Sequence, residues 1–180
     1  ITFYNPIGLS AGFDKNVQLS PLMEDVGFGF ASGGSVTLEP RKGNRRPWFY
    51  RLPKTKSVVV HAGMPNYGLR KISRYVRRNQ WRLNDMPTVM SVAVVANKTT
   101  IERAGGRPVK QAIINDVKKA TEYINDNKLA SVVEINISCP NAGKEPFIEA
   151  ESLDELLTAL DSVPRDVPFW VKMPHLYDIE

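Results

Sequence analysis

Two carboxamides and a thiol lie within one short stretch of the sequence, Asn136-Ile137-Ser138-Cys139-Pro140-Asn141. Strand alternation would put Asn136 and Ser138 on the same side, and Pro140 cannot continue a hydrogen-bonded ladder, so the strand must end there. Amides bind planar polar ligands and a thiolate can act as a base. The stretch therefore predicts a ligand site with Cys139 as the potential base. The alternative is that Cys139 is a small buried apolar residue.

Two lysines add positive charge near the ends of other predicted strands. Lys15 follows Ala11 and Gly12, and a glycine allows a flat ring or a phosphate to approach the backbone. A lysine there can offset negative charge on that ligand, although a surface lysine paired with an aspartate is the alternative. Lys172 lies in an apolar strand, where an unpaired charge is costly. It must therefore sit at the open end of the strand or face a charged partner.

Apolar runs alternate with amphipathic stretches, which predicts a single α/β domain over residues 1–180 with a parallel sheet. The predicted strands are residues 7–11, 28–36, 88–96, 131–137 and 167–173. Helices are predicted for residues 20–26, 67–80 and 153–160, and for the repeat of Val109, Ile113, Val117, Ala120 and Ile124. Ser152 is the expected cap of the 153–160 helix, with Glu155 completing a capping box.

Residues 41–53 are rich in arginine, glycine, asparagine and proline, which indicates an excursion from the core. Within and just after it, residues 48–52 and 57–60 can pair as a small ribbon. The polar residues described above cluster at the carboxyl ends of predicted strands, as do Gly34 and Ser35. Active sites occupy that position in (β/α)₈ barrels and, at the switch point, in open doubly wound sheets. Both folds remain possible on this pattern.

Charge and composition exclude several classes of protein. The net charge is +5, and basic residues concentrate in the 67–80 helix. We expect these basic residues to form a solvated helix face. The alternative is that they attract anions or a membrane surface. No signature of nucleic-acid recognition accompanies the charge. The two histidines, His61 and His175, lack metal-ligand spacing, so no metal is expected. A single cysteine and the lack of a long apolar run favour a reducing, cytoplasmic location.

Six ordered segments resemble the dihydroorotate dehydrogenase family. They are residues 5–9 with 11–16, 27–30, 34–37, 43–44 with 51–53, 136–141, and 171–172. The resemblance implies an FMN-binding TIM (β/α)₈ barrel that oxidises dihydroorotate to orotate in pyrimidine (UMP) synthesis. A barrel needs about 250 residues, so we expect this chain to cover roughly the first five β/α units. The later strands of the family's barrel carry the glycine-rich loops that hold the FMN phosphate, and we expect these strands outside residues 1–180.

The resemblance also implies roles for individual residues. Cys139 would be the general base that takes a proton from the substrate while hydride passes to FMN, and Lys15 would contact both flavin and substrate. Substrate binding would involve Lys15, Asn136, Asn141 and Met64. Cofactor binding would involve Ala11, Gly12, Lys15, Gly34, Ser35, Asn136 and Lys172. The partner would be dihydroorotate or orotate, with a homodimer possible and no nucleic acid expected.

Some features depart from the family or divide between its branches. Val60 stands where the family has a substrate-binding asparagine, which makes a homologue with a different substrate the second hypothesis. A non-catalytic half-barrel that assembles through its sheet edges is the third. Residues 12–16 and 51–53 resemble the quinone-using branch, whereas Cys139 and residues 37–41 resemble the soluble branch. We favour the soluble branch and leave the acceptor open among fumarate, NAD and quinone, with membrane association if a hydrophobic extension precedes Ile1.

Overall fold

The computed structural model describes residues 1–80, 86–106, 108–138 and 147–174. Five strands form one parallel sheet: β1 (Gly8–Asp14), β2 (Phe30–Val36), β5 (Thr88–Ala93), β6 (Val132–Asn136) and β7 (Phe169–Lys172). A separate antiparallel hairpin joins β3 (Phe49–Leu52) to β4 (Ser57–Val60). The predicted parallel sheet and ribbon are thus confirmed.

The spatial order of the parallel strands is β1-β2-β5-β6-β7, which follows the chain without a reversal. An open doubly wound sheet reverses its strand order at the switch point. Adjacent strands in chain order are instead the arrangement of a (β/α)₈ barrel. Of the two folds that the sequence allowed, the described strands therefore have the order of the barrel.

Within the described ranges, the sheet is accompanied by the helices α1 (Leu69–Arg78), α2 (Lys98–Ala104), α3 (Val109–Asp126) and α4 (Ala150–Asp161). The main core lies between the helices and one face of the sheet. Alternate residues of β5 and β6, Met90, Val92, Val133 and Ile135, are almost fully buried in a cluster with apolar helix residues. The intervening residues, among them Ser91 and Asn136, must point to the opposite face because side chains alternate along a strand.

The separate hairpin and the outer strands, including part of the opposite face of the sheet, carry many exposed apolar side chains. All eight residues of β3 and β4 are exposed, and so are Trp170 and Val171 of β7. Phe3 bridges part of this face, with its ring centroid 4.9 Å from that of Phe30 in β2 and 6.2 Å from that of Trp170. The two outermost strands of the described sheet, β1 and β7, each pair on one side.

Three helix predictions need correction. Residues 20–26 form only the 3-10 turn Ser20–Leu22, because Leu22 and Val26 are exposed and no apolar face is buried to stabilise a longer helix. Ser152 does not cap α4, which begins at Ala150; it lies buried in the first turn. Glu155 makes no capping box but pairs with Lys110 of α3, with Nζ and Oε1 2.7 Å apart.

Helix α2 was not predicted, although its start carries a signal. The Asn97 side chain accepts from the backbone of Thr100, and the Thr100 hydroxyl accepts from the backbone N–H of Asn97. This reciprocal capping box marks a helix start even in a short segment. Across the part of the chain that the structure describes, no helix is both long and apolar enough to cross a bilayer.

Candidate active site

The end of β1 leads into a loop that Asp14 holds in place. The Asp14 carboxylate is 2% exposed and accepts hydrogen bonds from the backbone N–H groups of Gln18, Leu19 and Ser20 and from the Ser20 hydroxyl. Val17 is fully buried against Gly33 of β2. Lys15, between these two anchors, donates from its ammonium to the carbonyl of Gly12. The predicted cofactor residues Ala11, Gly12 and Lys15 are therefore held on one ordered strand end.

Replacing Asp14 by alanine should lower the free energy of unfolding by about 2–4 kcal/mol, because several buried donors would lose their charged acceptor. Urea unfolding followed by circular dichroism measures this change. Asp25→Ala is the matched control, since Asp25 is exposed, and should change the free energy by less than about 0.5 kcal/mol. Equal effects of the two substitutions would show that Asp14 does not organise the loop.

Side chains from three strands meet at the carboxyl end of the sheet. The Asn136 amide of β6 donates to the Ser35 hydroxyl of β2 over 2.7 Å, and the hydroxyls of Ser35 and Ser91 are 2.8 Å apart. Strand β5, which carries Ser91, lies between β2 and β6. Contacts between alternate strands across an intervening one require a concave face, as in the layers that fill a barrel. Two predicted site residues, Ser35 and Asn136, are thus brought together.

Gly34 provides the close approach that this meeting needs. Its φ is +123°, a backbone conformation that residues other than glycine rarely adopt. An added Cβ would lie 2.6 Å from the Ser91 carbonyl oxygen. The neighbouring strand contributes Lys172, which is exposed at the end of β7 and pairs in register with Asn136. The sequence analysis placed Lys172 either at the open end of its strand or facing a charged partner. The structure confirms the open end of the strand.

The loop before α1 carries Met64, the remaining predicted substrate residue that the structure describes. Met64 is half-buried with a φ of +56°, and its carbonyl accepts from the Asn66 amide over 3.1 Å. Arg41 ties this loop to the end of β5 by donating to the carbonyls of Gly63 and Ala96, at 2.9 and 2.7 Å. The loop is therefore fixed beside the strand ends. Val60 precedes it at the end of β4 and is exposed.

The whole chain, residues 1–180, matches the family model described as dihydroorotate dehydrogenase. The chain belongs to the dihydroorotate dehydrogenase family. Relatives include the enzymes named dihydroorotate dehydrogenase (quinone) of Novosphingobium aromaticivorans, 33% identical over 162 residues, and of Corynebacterium glutamicum, 31% identical over 180 residues. These alignments cover 89% and 99% of this chain but 43% and 44% of the relatives. The chain therefore spans less than half the length of these relatives.

The solved structures agree on the fold. The crystal structure of a dihydroorotate dehydrogenase from Eimeria tenella in complex with ferulenol superposes with a TM-score of 0.71 at 25% identity. The match covers 90% of this chain and 41% of the other. Members of this family are FMN-dependent flavoproteins with a TIM-barrel fold, which agrees with the strand order described above.

The residues at the strand ends fit the ring end of a flavin. Gly12 is exposed, and a Cβ added to it would meet nothing within 4 Å, so the strand has an open face. A hydroxyl and a carboxamide (Ser35 and Asn136) suit the polar edge of the ring. The ammonium groups of Lys15 and Lys172 suit the negative charge that a flavin gains on reduction.

Two residues near this cluster were not predicted from the sequence. Ser91 contacts Ser35 directly and is fully buried; a hydroxyl in the middle of an otherwise apolar segment was the available signal. Phe49 of the hairpin lies with its ring centroid 5.7 Å from the Lys15 ammonium, a contact between distant segments that no local pattern predicts. Cys139 and Asn141 lie outside the described residues, so the roles assigned to them remain predictions.

Proposed function

We propose that the protein to which this chain belongs is an FMN-dependent dihydroorotate dehydrogenase. The match of the family model to all 180 residues carries this proposal. The meeting of Ser35, Ser91 and Asn136 at the carboxyl end of the sheet supports it, since barrel enzymes hold their active sites there. We further propose that the five parallel strands are the first five of eight in a closed barrel.

In this proposal, residues of this chain bind the substrate and remove its proton. Cys139 is the general base that takes the proton from the carbon next to the substrate carbonyl. Asn136, Asn141, Lys15 and Met64 contact the polar groups of dihydroorotate. FMN, when bound, supplies the acceptor for the hydride that leaves the adjacent carbon as the C=C bond of orotate forms. The flavin ring would be lined by Ala11, Gly12, Lys15, Gly34, Ser35, Asn136 and Lys172.

The Asn136 side chain has the hydrogen-bonding capacity for this task. Its Oδ1 accepts from the backbone N–H of Ser138 over 3.0 Å, and one N–H of its amide goes to Ser35. A carboxamide offers two N–H donors and an oxygen with two acceptor positions. One donor and one acceptor position thus remain for a ligand. The two fixed bonds orient the amide, which lowers the cost of ordering it on binding.

The electron acceptor that we propose is a quinone, because the relatives described above are named as quinone enzymes. Fumarate and NAD are the alternatives. Mixing the reduced full-length protein with each acceptor under anaerobic conditions, and following flavin reoxidation by absorbance, identifies the acceptor. Fast reoxidation by fumarate or NAD, with none by a soluble quinone analogue, would contradict the quinone assignment.

Anaerobic mixing of the full-length flavoprotein with dihydroorotate tests the proposed function. We expect the flavin absorbance to bleach and orotate to appear in equal amount, because each oxidised substrate reduces one flavin. A colourless protein that self-associates would instead favour a half-barrel assembly module. Size measurement by light scattering separates that outcome from the enzyme.

An altered substrate is the second candidate, and the position of Val60 favours it. Val60 presents an apolar, exposed side chain at the end of β4, where the family has a substrate-binding amide. A missing amide leaves a substrate polar group without its partner, at a cost of about 1–3 kcal/mol. In that case the flavin binds but dihydroorotate does not bleach it.

A further inference from the structure

A basic cleft lies between residues 40–48 and the start of α1. Five cationic side chains line it: Lys15, Arg41, Lys42, Arg46 and Lys71. Among the described residues that line the cleft, none is acidic. The number of positive side chains that line the cleft therefore equals the net charge of the whole chain, +5. Charges of one sign around a concave surface focus the field and raise the local concentration of anions.

Two of the cations in the cleft lie over aromatic rings of its wall. The Arg46 guanidinium lies 4.5 Å from the centroid of the Trp48 ring, and the Lys71 ammonium lies 4.2 Å from that of Tyr67. Trp48 donates from its indole N–H to the Asn44 carbonyl over 2.8 Å. The Tyr67 backbone N–H donates to the Asn16 side chain over 2.9 Å. The first bond fixes the Trp48 ring and the second fixes the backbone of Tyr67, so the two cations over these rings are partly pre-organised for a ligand.

The ion pairs between described residues do not neutralise Lys42, Arg46 and Lys71. The ion pairs between described residues use Lys98, Arg103, Lys110, Lys118 and Arg165, all outside the cleft. Lys42, Arg46 and Lys71 take part in none of those pairs. A neighbouring cleft, which shares Tyr67 and Lys71, extends the basic surface to Arg74 and Arg78. The geometry therefore leaves several cations directed at one concave surface.

We propose that this cleft binds a small organic phosphate. Its volume of about 460 Å³ is in the range of small-molecule sites and holds a ligand of limited size. Arginine forks and lysine point charges are the usual partners of phosphate, and the two aromatic rings offer apolar surface to an organic group. The cleft shares only Lys15 with the flavin and substrate residues, so it is a separate site that touches theirs.

Isothermal titration calorimetry of the full-length protein with inorganic pyrophosphate tests the proposal without depending on flavin or turnover. We expect saturable binding that weakens about 10-fold or more in Lys42→Gln/Lys71→Gln, which removes two charge-assisted contacts. The control Lys54→Gln/Lys119→Gln removes the same charge from exposed positions outside the cleft and should retain binding within about 2-fold. Lys71→Gln alone should fall between them.

Three outcomes would overturn the proposal. They are no saturable pyrophosphate binding, equal weakening by the cleft and control variants, and unchanged binding by Lys42→Gln/Lys71→Gln. A second experiment with lipid vesicles tests the competing source of phosphate, a lipid headgroup. Binding to phosphatidylglycerol-containing vesicles that needs Lys42 and Lys71, without pyrophosphate binding, would make the cleft a lipid-headgroup surface instead. Melting curves of each variant confirm that the protein remains folded.

Discussion

Replacing Cys139 by alanine in the full-length protein is expected to lower kcat by about 100- to 10,000-fold, the usual contribution of a general base. The KM for dihydroorotate should change little, since the thiol acts on the reacting carbon and the carboxamides bind the polar groups. The flavin absorbance of the purified protein should be unchanged. Stopped-flow measurement of flavin reduction isolates the step, because it does not require the second substrate.

Cys139→Ser is the matched control for this experiment. The family uses either cysteine or serine as the base, so the hydroxyl should retain part of the activity that alanine loses. Flavin reduction by Cys139→Ala within a few-fold of the unaltered protein would contradict the assignment of Cys139 as base. The same result would not contradict the proposed flavin site, because the substitution changes none of the described cofactor residues.

The sheet was predictable from the sequence because each strand has a strong local signal. Residues 88–96 are apolar except for Thr88 and Ser91, as expected for a strand covered on both faces, and β5 occupies most of them. The helix α3 follows the apolar repeat of five residues from Val109 to Ile124 and is confirmed. Local periodicity does not determine strand order, so the sequence left the barrel and the open sheet as alternatives. The observed order of the described strands, which runs along the chain without a reversal, distinguishes them.

The site was predictable in its residue types and less so in its connections. Ser35 and Asn136 were assigned through the family resemblance, and they meet at 2.7 Å. The part that Asp14 has in holding the Lys15 loop was missed, because most of its partners are backbone N–H groups that any sequence offers. The contact of Phe49 with Lys15 was missed because the two residues are far apart in the chain. Such tertiary contacts leave no local pattern.

Replacing Asn136 by leucine is expected to lower kcat/KM by about 100-fold or more, since a displacement of about 1 Å at the reacting group already has an effect of that size. Leucine has a similar volume but cannot accept from Ser138 N–H or donate to Ser35. The first loss releases the backbone one residue before Cys139. The second removes the link between β6 and β2. Both kcat and KM should therefore change, in contrast to Cys139→Ala.

Ser35→Ala separates the two contributions of Asn136. This variant removes the 2.7 Å contact but leaves the bond between Asn136 and the Ser138 N–H, so the backbone at Ser138 stays fixed. We expect a loss of about 10-fold in kcat/KM, the scale of one unsatisfied buried polar group. Equal losses in Ser35→Ala and Asn136→Leu would mean that the link between the strands alone matters. A larger loss in Asn136→Leu would assign the difference to the orientation of the base and to direct contact of the amide with dihydroorotate.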